Sequence, residues 1–205
     1  MVGLAKRGYK CTGYDLTPER VEMAKARAKR AGISVELKQG DATKLPKDRK
    51  FDAILALYIL FLLPSDEDVK SCLRQIRNSL LPGGIIVCNF YNPFTTGKHW
   101  MVDAIRQGHT LDESRVPGIR ITEIGRLNHY DPVRGIASID ETTIVEAADG
   151  RHLFRDREHF RLLTYWDLTR YLNDTGFKAI EAYSDWDVKP KKKPKAEQIV
   201  LVARR

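Results

Sequence analysis

Residues Tyr9–Glu19 have the sequence YKCTGYDLTPE, and this stretch decides the fold. Its aromatic residues and threonine favour a β-strand that ends on the acidic residue Asp15. Thr17 can cap a helix, and Pro18 suits the first helical turn because the N–H that proline lacks has no partner there. The order of strand, acidic tip and helix is typical of an α/β protein with a parallel sheet.

This order continues after Glu19. Small apolar residues at steps of three and four predict a helix that ends at Gly32. The elements predicted for the first half of the chain are a helix at Pro18–Ala31, a strand at Ser34–Lys38, a buried strand at Phe51–Leu57, an amphipathic helix at Asp66–Leu80 and a strand at Ile85–Phe90. Strands and helices alternate throughout, as parallel sheets require.

The pattern changes between Asn92 and about Phe160, where period-two segments replace the helical spacing. We predict an antiparallel β insertion over 92–160, preceded by a short helix near Trp100–Gln107, within a single domain of 1–205. The strands expected in it are Ile119–Leu127, Ile136–Glu146 and His152–Phe154. A helix at Tyr165–Thr175 and two last strands at Lys178–Ser184 and Gln198–Ala203 are predicted to follow.

Composition predicts one soluble, cytoplasmic domain, since 42% of the residues are hydrophobic and 30% are charged. The apolar run Ala53–Pro64 is far shorter than the roughly 20 residues that a membrane span needs, and the N-terminus lacks the long apolar segment of a secretory signal. The three cysteines, Cys11, Cys72 and Cys88, have no metal-type spacing and are expected to be buried apolar residues.

The net charge of +8 is partly local, because Lys189–Lys195 carries five lysines. Such a run is typical of a solvated loop, here between the last two strands. Nucleic acid is therefore not expected as a partner. An RNA-methylating protein remains an alternative that rests on this charge.

Several motifs coincide in order and spacing with one family. They are the acidic tip at Asp15, the Gly40-Asp41-Ala42 segment after the next strand, the Leu81-Pro82-Gly83-Gly84 turn and the Gly176-Phe177 pair before two final strands. Together they resemble the class I S-adenosylmethionine-dependent methyltransferases, from the second strand of that fold to its C-terminus. The resemblance implies a Rossmann-like α/β sheet with the order 3-2-1-4-5-7-6 in the complete fold and with the antiparallel insertion between strands five and six.

The resemblance also implies a function and a cofactor. The chain is expected to be an enzyme that binds S-adenosylmethionine and methylates a small-molecule acceptor, with no metal. Asp15 corresponds to the acidic residue that binds the two ribose hydroxyls, and Leu16 is expected to pack on the adenine face. Asp41 and Ala42 correspond to positions that contact the adenine amino group and a ring nitrogen.

The acceptor site is implied less directly. Leu57 and Tyr58 end the strand whose tip, in the family, faces the methionine end of the cofactor. The residues expected near the acceptor are Tyr91, Trp100, Arg161, whose planar fork can pair with a carboxylate, and Tyr165. The insertion is expected to close over this site as a cap.

His129 and Tyr130 are weak catalytic candidates, because an imidazole can accept a proton near neutral pH and a phenol can position a substrate. The alternative is an ordinary hairpin corner, since Asp131 precedes a proline there. Methyl transfer depends mainly on alignment of the reacting atoms, so a strong base is not required. Cys88 lies inside a predicted buried strand and is expected to serve packing.

One departure from the family pattern bears on cofactor binding. The family has a strand and an acidic-x-Gly-x-Gly loop before its first helix, whereas Val2–Gly8 resembles only the last turns of that helix. Without this strand, the second strand should pair with the fourth, or the chain should be unstable alone. A start site assigned too late or a truncated gene explains this pattern; a non-catalytic relative that does not bind cofactor is the alternative.

A base-modifying enzyme is not favoured. Ala56-Leu57-Tyr58 stands where enzymes that methylate nucleobase amino groups have an Asn/Asp-Pro-Pro-aromatic motif. Tyr91-Asn92-Pro93-Phe94 is similar to that motif but follows the next strand along the chain, where it does not belong.

Overall fold

The computed structural model describes residues 1–46, 49–92, 100–184, 189 and 197–205. The elements in chain order are α1 (Val2–Ala5), β1 (Thr12–Asp15), α2 (Pro18–Arg30), β2 (Glu36–Gln39), β3 (Phe51–Ala56), a 3₁₀ helix (Leu60–Leu62), α3 (Asp66–Ser79), β4 (Leu80–Tyr91), α4 (Trp100–Gln107), β5 (His109–Val116), β6 (Ile119–Asp131), β7 (Ile136–Ala147), β8 (Gly150–Arg161), α5 (Tyr165–Asp174), β9 (Lys178–Ser184) and β10 (Gln198–Arg204).

The strands form three sheets. β1 and β2 make a parallel pair, and β3-β4-β10-β9 make a mixed sheet in which β10 is antiparallel to both of its neighbours. β5-β6-β7-β8 make a separate antiparallel sheet. The first two sheets have the order expected from the family resemblance, except that no strand lies between β1 and β3 in the part of the chain that is described. The predicted α/β fold class is confirmed.

Of the two outcomes expected for a chain without that strand, pairing of the second and fourth strands of the fold is not observed, because β1 and β3 stay in separate sheets. The other, instability of the chain alone, stays a prediction. β1 and β3 are each fixed by other contacts. Leu45, in the connection from β2 to β3, packs against the main core. Arg49 forms an ion pair with Glu36 of β2, and its guanidinium also donates to Thr12 Oγ1 of β1 at 3.5 Å. Side chains and one loop therefore connect the two sheets, where a strand ladder was expected.

The main core lies between the four-stranded mixed sheet and the helices α3 and α5. Helix α3 begins at Ser65, whose side chain accepts a hydrogen bond from the backbone N–H of Asp68. Helix α5 begins with a capping box between Thr164 and Asp167. The fully buried side chains that join these elements are Leu73, Ile76, Ile86, Cys88, Leu168, Leu172 and Leu201.

The opposite face of β3 is poorly covered. Ile54 and Ala56 pack into the main core, whereas Leu55, which points to the other side, is 46% exposed. We expected a strand buried on both faces, as in parallel sheets that carry helices on each side. Among the described residues, no helix covers Leu55.

The antiparallel sheet of β5 to β8 contacts the main core at one end. Ala137, Ile139 and Phe160 belong to the same buried cluster as Leu60 of the 3₁₀ helix. Gly125 of β6 is required by this packing, because a Cβ atom there would lie 2.5 Å from Thr110 Oγ1 and 2.9 Å from Ile139 Cγ2. β5 was not predicted from the sequence.

Two findings concern segments outside this core. Among the helices in the described residues, none is long and apolar enough to cross a membrane. The predicted lysine-rich loop falls almost entirely on 190–196, which lies outside the described residues; Lys189 is exposed.

A pair of leucine substitutions tests the uncovered face of β3. Leu73→Ala removes a fully buried side chain and should lower the free energy of unfolding by about 2–5 kcal/mol. Leu55→Ala should cost well under half as much, because this side chain already meets solvent. Urea denaturation of both variants measures the difference, and equal losses would mean that Leu55 is covered in solution.

Candidate cofactor and acceptor site

The ends of β1 and β2 bring two predicted cofactor residues together. Asp15 is the register partner of Gln39, and the Gly40 N–H donates to the Asp15 carbonyl at 2.9 Å. The Gln39 side-chain amide donates to the Leu16 carbonyl at 3.1 Å. Asp41 follows directly, so the two carboxylates stand on neighbouring strand ends.

Only one oxygen of the Asp15 carboxylate accepts a hydrogen bond from the described residues. Its Oδ1 accepts the Thr17 N–H at 2.9 Å, while Oδ2 accepts no hydrogen bond from any residue that the structure describes. A carboxylate has about four acceptor positions, so Asp15 retains the capacity to bind a pair of hydroxyl groups. Leu16, next to it, is an apolar side chain that is 68% exposed. This edge offers both a polar acceptor and an open apolar surface.

The Asp41 carboxylate accepts more hydrogen bonds than that of Asp15. Its Oδ1 accepts the Thr43 N–H at 2.8 Å and the Thr43 hydroxyl at 2.7 Å. These two hydrogen bonds hold the pKa of Asp41 below its usual range, and the bond from the hydroxyl has the larger effect. Asp41 therefore stays ionised and shapes its own loop, while Oδ2 faces Lys44 at 3.6 Å on the surface. Ala42 packs partly against the main core.

The tip of β3 carries the other predicted cofactor residues, Leu57 and Tyr58. The Tyr58 N–H donates to Asn89 Oδ1 at 2.8 Å, and the Tyr58 hydroxyl donates to Gln198 Oε1 at 3.0 Å. The rings of Tyr58 and Tyr91 lie 5.9 Å apart. The Tyr91 ring also lies 5.5 Å from that of Phe61, so the tip is bordered by three aromatic rings. Tyr91, which we predicted near the acceptor, is thus next to Tyr58.

The two groups of predicted residues lie in different sheets. No hydrogen bond joins Asp15 or Asp41 to Tyr58 within the described ranges. An electrostatic link does exist between Asp41 and the main core. The pKa of the Cys72 thiol on α3 is raised to about 12, mainly by burial and further by the charge of Asp41. The end of β2 therefore lies beside the helix that packs under β3 and β4.

Arg161 has a structural partner. Its side chain is 7% exposed and forms an ion pair with Asp66 at the start of α3. It also donates to the Pro64 carbonyl at 3.5 Å. These contacts fasten the end of β8 to α3. The predicted pairing of Arg161 with a substrate carboxylate stays a prediction.

The predicted aromatic residues differ in their surroundings. Tyr165 packs partly against the main core, with its ring 5.2 Å from that of Trp166. Trp166 is 77% exposed. Trp100 begins α4, but its side chain lies outside the described part of the chain.

His129 and Tyr130 lie at the end of β6. His129 is exposed, and Tyr130 packs partly against the main core. Asp131 Oδ1 accepts the N–H groups of Val133 and Arg134 at 2.9 and 3.1 Å, which closes the turn to β7. This is the geometry of a hairpin corner.

The cysteines show no reactive setting. Cys88 is fully buried, and burial raises the pKa of its thiol to about 12, as expected for a packing residue. Cys72 is buried as well, but Cys11 is only partly buried, so the expectation of three buried cysteines holds for two of them.

A row of carboxylates on the antiparallel sheet was missed by the sequence analysis. Glu158 shares a sheet face with Phe160, which is in the main core. Its pKa is raised, first by burial and then by the charges of Glu141 and Asp156, while Arg20 of α2 opposes this effect. Asp156 and Glu158 lie on β8, whereas Glu141 lies on β7 and Arg20 on α2, so no local motif joins the set.

Comparison with known proteins finds sequence similarity to methyltransferases. Residues 1–84 match the family described as "Methyltransferase domain". A demethylmenaquinone methyltransferase of Tropheryma whipplei (strain Twist) is 36% identical over 93 residues, which cover 44% of this chain and 36% of the relative. A ubiquinone biosynthesis O-methyltransferase of Azorhizobium caulinodans is 31% identical over 150 residues, with 64% of this chain and 58% of the relative covered.

The fold is similar to that of a solved methyltransferase over nearly the whole chain. The crystal structure of an S-adenosylmethionine-dependent methyltransferase from Clostridium acetobutylicum superposes with a TM-score of 0.78 at 16% identity, covering 96% of this chain and 75% of that one. The chain therefore has the fold of S-adenosylmethionine-dependent methyltransferases. It spans about a third of the length of the first relative named above.

The residues described above fit part of S-adenosylmethionine. Asp15, with one open carboxylate oxygen, suits the ribose hydroxyls, and exposed Leu16 suits the adenine face. Asp41 and Ala42 stand on the adjacent strand end.

The raised pKa of Glu158 has a consequence for stability. The usual pKa is 4.5, and the folded protein holds the proton above it, so the unfolded chain releases this proton first as pH rises. Stability is therefore lost as the pH rises through this range. Glu158→Gln should raise the melting temperature at pH 7–8, and this gain should vanish below about pH 4.

Glu113→Gln is the matched control, since Glu113 is an exposed carboxylate on β5. Thermal unfolding of both variants across this pH range makes the comparison. A gain for Glu158→Gln that persists unchanged at low pH would show that ionisation is not its cause.

Proposed function

We propose that the chain transfers a methyl group from S-adenosylmethionine to a small-molecule acceptor. The observation that carries this proposal is the open carboxylate of Asp15, held beside Asp41 by the backbone hydrogen bond between Gly40 and Asp15. The match of residues 1–84 to the methyltransferase domain family supports the choice of cofactor. A second support is that the two relatives named above are described as acting on demethylmenaquinone and in ubiquinone biosynthesis, and both compounds are small molecules.

The described residues divide the work as follows. Asp15 binds the ribose hydroxyls, Leu16 covers the adenine, and Leu57 and Tyr58 receive the methionine end. When bound, the cofactor supplies an electrophilic methyl group on a positively charged sulfur. The protein's main contribution is alignment, because positioning two reactants removes much of the entropic barrier. No residue has to act as a strong base.

The acceptor site is proposed between the tip of β3 and the cap, residues 92–160. Tyr91 lies beside Tyr58 at this tip, and Tyr130 packs from β6 toward the same core. Aromatic side chains give such a site broad apolar walls with polar hydroxyl groups at their ends. The geometry supports this place for the acceptor better than the outer face of the cap, where His129 is exposed.

Asp15→Asn tests the cofactor site directly. The amide keeps the shape of the side chain but loses its charge and one acceptor oxygen. Hydrogen bonds to charged groups contribute about 1.5–3 kcal/mol, so S-adenosylmethionine affinity should fall roughly 10- to 100-fold. Isothermal titration calorimetry on the purified chain measures this change, with S-adenosylhomocysteine as a second ligand.

Glu19→Gln is the control, because Glu19 is an exposed carboxylate in the first turn of α2, close in sequence to Asp15. It should leave the affinity unchanged. An equal loss in both variants would point to general charge effects and contradict the role of Asp15. Absence of binding by the unsubstituted chain would favour the non-catalytic alternative.

A further inference from the structure

Tyr58 has a backbone conformation that needs support. Its φ angle is +59°, in the left-handed region that residues with a side chain rarely adopt. Such a residue costs on the order of 1 kcal/mol and persists only where neighbouring groups hold it. Tyr58 follows β3 by two positions, so this cost falls at the strand tip.

Asn89 provides the support. The ladder between β3 and β4 ends at the pair Ala56–Cys88, and Asn89 is the next residue of β4. Its side-chain Oδ1 accepts the Tyr58 N–H at 2.8 Å. The amide side chain therefore extends the ladder past its last backbone pair, and it does so across a backbone turn that a regular strand does not make.

The burial of Asn89 also lowers the stability of the folded protein. It is fully buried, and its Nδ2 has no hydrogen-bond partner among the described residues. A buried donor without a partner costs about 1–3 kcal/mol, comparable to or more than the net gain from the one hydrogen bond that Asn89 makes. An apolar residue of similar size, such as leucine, fits the surrounding strand without this penalty. Stability alone does not explain an asparagine here.

We propose that Asn89 is a positioning residue, which holds the β3 tip at Leu57–Ile59 in the shape that receives the methionine end of the cofactor. This inference rests on the proposed function. With Asn89 in place, the Tyr58 hydroxyl reaches Gln198 and its ring stands against Tyr91. Without the Oδ1 acceptor, the tip relaxes out of the left-handed conformation and these contacts are lost together.

The test uses Asn89→Leu, Asn89→Asp as the variant that keeps an acceptor oxygen, and Asn173→Leu as a control, since Asn173 is exposed on α5. Amide hydrogen exchange of the Tyr58 N–H, measured by NMR without ligand, reports on its hydrogen bond to Asn89. Exchange should be about tenfold faster or more in Asn89→Leu, near the original rate in Asn89→Asp and unchanged in Asn173→Leu. The melting temperature of Asn89→Leu should be equal or higher.

Two ligands separate positioning from a general loss of the site. Affinity for S-adenosylmethionine should fall about tenfold in Asn89→Leu, because the β3 tip no longer holds the shape that receives the methionine end. Affinity for 5′-methylthioadenosine, which lacks the amino acid part, should stay the same because Asp15 and Asp41 are untouched. Asn89→Asp should restore the binding of S-adenosylmethionine.

Each outcome decides a different claim. Unchanged Tyr58 exchange in Asn89→Leu, or equal losses for both ligands, would overturn the positioning role. If Asn89→Leu does not fold, Asn89→Ser gives the same comparison, because its shorter hydroxyl does not reach the Tyr58 N–H. An unsubstituted chain that binds neither ligand would overturn the proposed function, and with it this role, even where the exchange rates follow the expected pattern.

Discussion

The hydrogen-bonded ladders on the two sides of β4 are the constraint on which the rest of the molecule depends. β4 pairs in parallel with β3 and antiparallel with β10, so the backbone of Ile85–Cys88 is paired on both sides. Ile86 and Cys88 fill the space under α3 and α5, while Asn89 and Tyr91 stand at the end of the strand, beside the proposed site. One strand thereby supplies both the centre of the core and one wall of the site.

Much of the fold follows from local patterns. The strand that ends at Asp15, the helix that begins after Thr17 and the strand β9 were predicted within a few residues, since each has its own period and its own end signals. Two elements differed for physical reasons. β5 is exposed along most of its length and carries charges on both faces, so it has no alternation to detect. β4 begins earlier than predicted, because Leu80 pairs with Phe51 and the Leu81–Gly84 turn bulges out of the ladder.

The candidate site was predictable only where one segment carries the signal. Asp15 and Asp41 each follow a strand, and the backbone brings the two strand ends together. Asn89 and Glu158 could not be found this way. Asn89 looks like a polar interruption of an apolar strand until Tyr58 is placed next to it, and Glu158 acquires its unusual surroundings from Glu141 and Arg20, which are distant in sequence. Arg161 could not be assigned from sequence either, because its partner Asp66 lies 95 positions away.

The separation of β1 from β3 gives the site a mechanical character. Hydrogen-bonded strands move as one body, whereas β1–β2 and β3–β4 share no ladder among the described residues. Side-chain contacts, such as those of Leu45 and Arg49, connect them instead. A ligand that contacts both Asp15 and the β3 tip crosslinks the β1–β2 sheet to the mixed sheet. Part of the ligand's binding free energy is then used to fix the two sheets relative to each other. The affinity for the ligand is therefore lower than its contacts alone suggest. For the same reason, ligand binding should slow hydrogen exchange across the whole gap, in residues that the ligand never touches.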